Sequence, residues 1–229
     1  MSVENPWQDA VFAQQYAHDS GDAALGWYEH EINGPSVKSL IPDGTKRVLD
    51  FGCGPGDFTA SLASDYTIDG CDSSPAMLGI ANANHPETYF FEWDFHDEPP
   101  KDLEKYDAVI SKLTVQFIED LGRWAVTVSK ILTPTGSLIV SVPHPAYTTK
   151  QVSNYWEEAK YRQQIGKYGI YDMMIHRSIE RYVDIFSSAG FTVTRISEPV
   201  VNNDCLRKYD AGREKFLLPK RLNLQMRKV

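Results

Sequence analysis

Cysteine is scarce in this sequence, with 3 in 229 residues, at Cys53, Cys71 and Cys205. Three thiols cannot all pair, and their spacing fits no metal-ligand pattern, so neither a disulfide scaffold nor a metal module is expected. No apolar run approaches the ~20 residues that span a bilayer, and no membrane partner is expected. Met1 to Trp7 shows neither a basic n-region nor an apolar h-region, so no secretion signal is read there. A reducing cytoplasm is the expected home. Positive charge is also short: 23 Lys and Arg face 31 Asp and Glu, a formal −8. The shortage is uneven. Residues 207–229 hold eight basic and two acidic side chains, a local +6, which leaves −14 for residues 1–206. An acidic body repels a phosphate backbone, so a nucleic-acid partner is not expected. The basic tail itself reads as a strand. Leu222, Leu224 and Met226 alternate with Asn223, Gln225 and Arg227, a half-buried pattern with one solvated face.

Internal repeats and low-complexity tracts are absent too, and the length suits one domain. Residues 3–41 read as helical and aromatic-rich, and Pro42-Asp43-Gly44 punctuates them. Strand patterns over 47–51, 67–71, 89–93, 108–111 and 137–142 are interleaved with helix patterns over 57–64, 74–83 and 121–132. Ser73 or Ser74 suits the cap of the second helix. Such alternation builds a parallel, doubly wound sheet. The rhythm changes after Pro143. Residues 146–175 are polar and aromatic with no clear period. Residues 177–189 form an amphipathic helix closed by Gly190. Two late strands, 191–196 and 217–226, have no long helix between them and should pair antiparallel.

The most informative stretch is Asp50-Phe51-Gly52-Cys53-Gly54-Pro55-Gly56, where a strand runs through three glycines into a helix. Glycines there permit positive φ and close backbone approach to a ligand. A dinucleotide site would place another Gly in the next frame position. This chain has Asp57, whose carboxylate repels a pyrophosphate. A ligand with an amino acid tail and no phosphate fits better, and Asp50 stands where it can pair with an ammonium. Asp72 closes the second strand and can accept from both ribose hydroxyls. Asp94 and Phe95, just past the third strand, can take an exocyclic amine and lie against a purine ring.

On these residues the chain resembles the class I S-adenosylmethionine-dependent methyltransferases, best over residues 46–142. The resemblance implies a Rossmann-like, doubly wound α/β sheet of seven strands, mostly parallel with a late antiparallel pair, in one domain. It implies S-adenosylmethionine as cofactor and S-adenosylhomocysteine as product. Asp50, Gly52, Cys53, Gly54 and Gly56 would hold the methionine end, Asp72 the ribose, and Asp94 and Phe95 the adenine. Residues 111–117 would form the wall beside the methyl group. Tyr16, Ser73, Met77, Ser111 and Lys112 complete the cofactor contacts implied. A narrower likeness, to small bacterial methyltransferases of undefined substrate, rests on Ser141-Val142-Pro143-His144-Pro145, His176-Arg177-Ser178, Ala189-Gly190-Phe191 and Glu198-Pro199. Those proteins usually have Thr where Ser178 stands.

Methyl transfer from a sulfonium is an in-line displacement with an activated leaving group, so the protein mainly positions the acceptor and excludes water. A base is needed only where the acceptor must lose a proton. His144, after the fifth strand on the ligand edge, and His176, before the late helix, are the candidate bases. Trp27, Tyr28 and Tyr147 are candidate rings of the acceptor pocket, a set suited to a cationic or aromatic acceptor. Residues 1–41 and 146–175 lie outside the alternating framework and are expected to form a helical cap and a lid. Ser111-Lys112-Leu113-Thr114 departs from the Pro-Pro-aromatic run of base-amino methyltransferases. The expected activity is methylation of an N, O or C atom on a small molecule. An RNA or protein acceptor, a nicotinamide oxidoreductase and a non-catalytic nucleotide-binding module are the competing readings.

Overall fold

The computed structural model describes residues 6–20, 26–165 and 169–229. Its strands are β1 (Arg47–Phe51), β2 (Thr67–Asp72), β3 (Tyr89–Glu92), β4 (Tyr106–Lys112), β5 (Leu132–Pro143), β6 (Ala159–Ile165), β7 (Gly169–His176), β8 (Phe191–Ser197) and β9 (Arg221–Lys228). Its helices are α1 (Ala10–Ser20), α2 (Gly26–Tyr28), α3 (Gly34–Lys38), α4 (Asp57–Leu62), α5 (Pro75–Asn84), α6 (Leu121–Ile131), α7 (Pro145–Thr148), α8 (Ile179–Ser188) and α9 (Asn203–Lys208). Seven strands form one sheet in the order β3-β2-β1-β4-β5-β9-β8, and β6 pairs β7 in a separate ribbon. The neighbours from β3 to β5 are parallel, and β9 runs antiparallel to both β5 and β8. This is the doubly wound sheet with a late antiparallel pair that the sequence implies.

Strands covered on both faces read as continuous apolar runs. Val48 to Phe51 and Ala108 to Ser111 are accordingly all buried. Helix α6 begins at Asp120, whose carboxylate accepts the Arg123 amide at 2.9 Å. It buries Leu121, Trp124, Ala125, Val128 and Ile131, spaced at one face of a 3.6-residue period. Helix α8 starts on Ser178, which accepts the Arg181 amide, and Gly190 follows its end at φ 84°. Tyr182 and Phe186 pack beside Trp124 on that side of the sheet, while Val37, Leu40 and Leu62 cover the other.

The structure departs from the sequence expectation in three places. The N-terminal segment is broken rather than continuous: α2 and α3 are joined by a π-helical turn, Glu29–Asn33, in which the Gly34 amide donates to Glu29 O. Pro35 lacks an amide, so regular pairing cannot simply continue through it. Strand β9 begins at Arg221, after a 3-10 turn at Arg213–Phe216, and its polar positions are not all solvated. Asn223 is fully buried and donates to Asn33 Oδ1 and Ser36 Oγ, both at 3.1 Å. The reason is topological: β9 is interior, between β5 and β8, and α3 lies over it. Finally, the stretch without period contains the β6–β7 hairpin. A register shift between Tyr161 and Arg162 disrupts the two-residue alternation by which a strand is recognised.

Candidate active site

Strand order reverses between β1 and β4, and ligands of open α/β sheets sit beyond the strand carboxyl ends at such a point. A cavity of about 1210 Å³ lies there. Its floor is the turn after β1, where Gly52, Gly54 and Gly56 have φ of 79°, 54° and 85°. The three glycines serve different ends. A Cβ on Gly52 would overlap Thr114, and one on Gly56 would lie 2.7 Å from the Phe90 ring. A Cβ on Gly54 would meet nothing within 4 Å, and Gly54 lines the cavity. Gly52 and Gly56 are packing requirements, and Gly54 leaves room for a ligand.

Acidic groups ring this end. Asp50 is buried; Oδ2 accepts from Thr59 Oγ1 at 2.7 Å, and Oδ1 has no partner among the described residues. Burial pushes its carboxyl up to about 6, aided by Asp72 and opposed by Thr59 and Lys112. Asp50 lines the cavity, and a buried carboxylate oxygen left unpaired there suits a ligand ammonium. Asp72 Oδ2 accepts the Gly54 amide and Oδ1 the Ser74 amide, each at 2.9 Å. Burial raises its carboxyl, while those amides lower it. Asp94 Oδ1 takes the His96 amide and ring, and the His96 ring lies 3.9 Å from Phe95. Asp50, Asp72, Asp94, Phe95 and His96 line the cavity, with Tyr16, Cys53, Ser73, Met77 and Lys112. Burial drives the Cys53 thiol above its usual range, which leaves it inert. Two expected contacts do not line it: Gly56, and Ser111, which donates to Phe51 O at 3.0 Å and braces β1 against β4.

The opposite end holds Glu29, Arg221, Lys112, Tyr16 and His30. Arg221 reaches Glu29 Oε1 through Nε at 2.7 Å and Nη2 at 2.6 Å. Asn33 donates to Oε2 at 2.8 Å, and Lys112 Nζ lies 3.3 Å from it. Burial alone would raise the Glu29 carboxyl; Arg221, Lys112 and Asn33 outweigh it and hold the group below its usual range. Tyr16 is pushed up by burial and by Glu29, so its phenol is a neutral donor on the wall. The wall after β4 turns at Leu113, which has φ 58° and donates its amide to Ser141 O at 2.8 Å. That conformation is uncommon for a leucine and costs about 1–2 kcal/mol. It aims Thr114 Oγ1 at Gly52 O, 3.1 Å away.

The candidate bases lie elsewhere. His144 Nδ1 accepts the Ala146 amide at 3.1 Å, and Nε2 sits 2.6 Å from Glu198 Oε1, so both nitrogens are engaged. Burial lowers its basicity, and Glu198 opposes that only partly. His176 is fastened between Thr148 Oγ1 at 2.6 Å and Tyr155 O at 2.8 Å. Neither lines the cavity, nor do Trp27, Tyr28 and Tyr147. Trp27 stacks on Tyr209, and Tyr28 donates to Pro199 O. From residues 6–41, Trp7, Tyr16, Gly26, Glu29, His30, Gly34, Pro35 and Lys38 line the cavity; no described residue of 146–175 does. That hairpin lies behind the post-β4 wall and is tied to it by Arg177. The buried Arg177 guanidinium donates to Ile118 O at 2.7 Å, Glu119 O at 3.1 Å and Glu158 Oε1 at 2.8 Å.

Strand order, glycine turn and the acid closing β2 define the fold of the class I S-adenosylmethionine-dependent methyltransferases. A family model described as "Methyltransferase domain" matches residues 29–196, and the chain belongs to that family. The trans-aconitate 2-methyltransferase of Escherichia coli O139:H28 is 30% identical over 169 residues, which cover 71% of this chain. The match spans 64% of that protein, less than two thirds of its length. Among solved structures, an S-adenosylmethionine-dependent methyltransferase from Mesorhizobium loti has a TM-score of 0.71 at 22% identity, covering 90% of this chain and 99% of that one. One from Clostridium acetobutylicum has a TM-score of 0.63 at 13% identity, covering 94% and 98%. These two share the fold.

Proposed function

We propose that this chain transfers the methyl group of S-adenosylmethionine to a small-molecule acceptor. The observation that carries this is one cavity running from the glycine turn to the Glu29–Arg221 pair. In this reading Asp50 and Gly52 to Gly54 receive the amino acid end. Asp72 with Ser73 holds the ribose, and Asp94, Phe95 and Met77 frame the base. Tyr16 and Lys112 stand between that ligand and the far end. Held by these residues, the cofactor would supply an electrophilic methyl carbon on a sulfonium leaving group. The chain's own residues align the acceptor, keep water out and carry charge. Trp7, Phe117 and Leu113 form apolar wall, which suits the exclusion of water. A relative named for trans-aconitate, a small molecule, supports the reading.

Any proton lost by the acceptor needs a receiver. His30 lines the cavity beside Glu29, whereas His144 and His176 are held by other partners. The test is differential thermal stabilisation. S-adenosylhomocysteine at ~100 times its dissociation constant should add about 2.7 kcal/mol of stability, while NAD adds none. A shift with NAD and none with S-adenosylhomocysteine would overturn the proposal.

A further inference from the structure

The cavity is electrically polarised. Asp50, Asp72 and Asp94 stand at the end assigned to the cofactor, whose sulfonium and ammonium they complement. Around Glu29 the cavity wall carries two cations. Arg221 and Lys112 both face Glu29, the carboxylate they share. A third cation, Lys220, precedes Arg221 on the same edge and is only 8% exposed. Its Nζ lies 3.9 Å from the centroid of the Tyr147 ring and 5.6 Å from that of Phe216. Among the described residues no carboxylate pairs with it. Burial lowers its affinity for a proton, and Lys150 and Arg221 lower it further. Two cations of the cavity wall therefore share one carboxylate, and a third stands next to Arg221 outside the lining.

The donors are not exhausted. A guanidinium has five N–H groups. Arg221 directs Nε and Nη2 to Glu29 Oε1, and Nη1 to Lys220 O at 2.9 Å. Two N–H groups remain, and the Tyr16 phenol beside them is a neutral donor. The aromatic faces are already used. Lys220 lies over Tyr147, and the Arg221 guanidinium lies 5.9 Å from the Tyr28 centroid. Rings that might have caged a cationic acceptor instead hold the protein's own cations. A positive acceptor would be repelled here and would compete with Arg221 for Glu29.

We infer that the acceptor carries a carboxylate, which anchors on Arg221 where the cavity wall carries Glu29 and Lys112, with Lys220 adding positive charge from behind Arg221. This rests on the cavity being the cofactor and acceptor site. The carboxylate is assigned as the anchor, whichever atom takes the methyl group. Planar guanidinium donors match a carboxylate as a lysine point charge does not.

The experiment is titration calorimetry on the full chain saturated with S-adenosylhomocysteine. The probes are benzoate, succinate and citrate, each beside its amide, with benzylamine as the cationic control, all at one ionic strength. At least one acid should bind ten- to hundredfold more tightly than its amide, the range of a charged hydrogen bond. Arg221→Lys should lose most of that preference. Because Arg221 also holds buried Glu29, Lys220→Met is the second variant: it keeps the stem over Tyr147 and should weaken the acid several-fold without changing S-adenosylhomocysteine affinity. If S-adenosylhomocysteine binds but no acid exceeds its amide, or benzylamine binds best, the anchor is overturned and the cofactor assignment stands. If S-adenosylhomocysteine itself fails to bind, both fall.

Discussion

The Gly54 amide donates to Asp72 Oδ2 at 2.9 Å, and that bond ties the turn after β1 to the acid closing β2. The other Asp72 oxygen takes the Ser74 amide. One carboxylate thus shapes the rim of the cavity from two sides. Asp72→Ala removes an acceptor from two amides and from a ligand hydroxyl. S-adenosylhomocysteine affinity should fall by roughly 1.5–3 kcal/mol, the worth of a hydrogen bond to a charged group. Calorimetry checks it; unchanged affinity would reduce Asp72 to a turn brace.

The glycines should separate under alanine substitution. Gly52→Ala meets Thr114 and a φ of 79°, combining overpacking with backbone strain. It should destabilise the fold by about 3 kcal/mol. Gly54→Ala has open space and only its φ of 54° to bear, about 1 kcal/mol. Its new methyl enters the cavity, so ligand affinity should suffer more than stability. Denaturant unfolding together with S-adenosylhomocysteine titration distinguishes the two. Equal effects of both variants on both measurements would refute the division of labour.

Asp50 gives the cavity a pH response. Its carboxyl is raised from 3.8 to about 6, so the native protein binds a proton that the unfolded chain has lost across that interval. The contribution of this group to stability is therefore present below 3.8 and declines as pH rises to about 6. Ligand binding has the opposite sign, because an ammonium requires the ionised form. S-adenosylhomocysteine affinity should be flat above pH 6 and should fall, approaching tenfold per pH unit, below it. Asp50→Asn should abolish the slope. A slope that survives in the variant would belong to another group.

Arg177 should prove structural and costly to remove. Arg177→Met leaves the Ile118 and Glu119 carbonyls without their donor, while Glu158 keeps Arg181 at 2.8 Å. Breaking a buried charge network costs about 3–5 kcal/mol. For a chain of this size that lowers the melting temperature by roughly 10 °C. Arg177→Lys should recover little of it, since one ammonium cannot span the carbonyls and Glu158 together. A melting temperature within a degree or two of the parent would show the wall to be self-supporting.

How much of this was legible beforehand depended on sequence distance. The span of β1, the glycine turn, the acid closing β2 and the helix cap at Ser74 are local signals, and each lies within a few residues of what it organises. Glu29 and Arg221 carry no such mark. They are separated by 192 positions, and the alternation that marks Arg221 as a strand residue says nothing of its partner. The π-helical turn that places Glu29 depends on Asn33, whose partners Asn223 and Ser141 are equally remote. His144 and His176 drew notice as titratable groups near the ligand edge. Their engagement by Glu198, Thr148 and Tyr155 is tertiary and lies beyond any motif.

The interior position of β9 also orders events during synthesis. A ribosome releases β1 to β5 first, and these already contain the crevice with Asp50, Asp72 and Asp94. Strand β8 is the next strand of this sheet to emerge, after the β6–β7 ribbon, but its only partner in the sheet is β9, so it must wait as a lone strand beside the open edge of β5. Unpaired edges invite the wrong partner. Only when β9 slots between them is the sheet closed, and the same step brings Arg221 to Glu29. The end of the crevice with Asp50, Asp72 and Asp94 can therefore form while the nascent chain is still growing, whereas the end with Glu29 and Arg221 comes into being last.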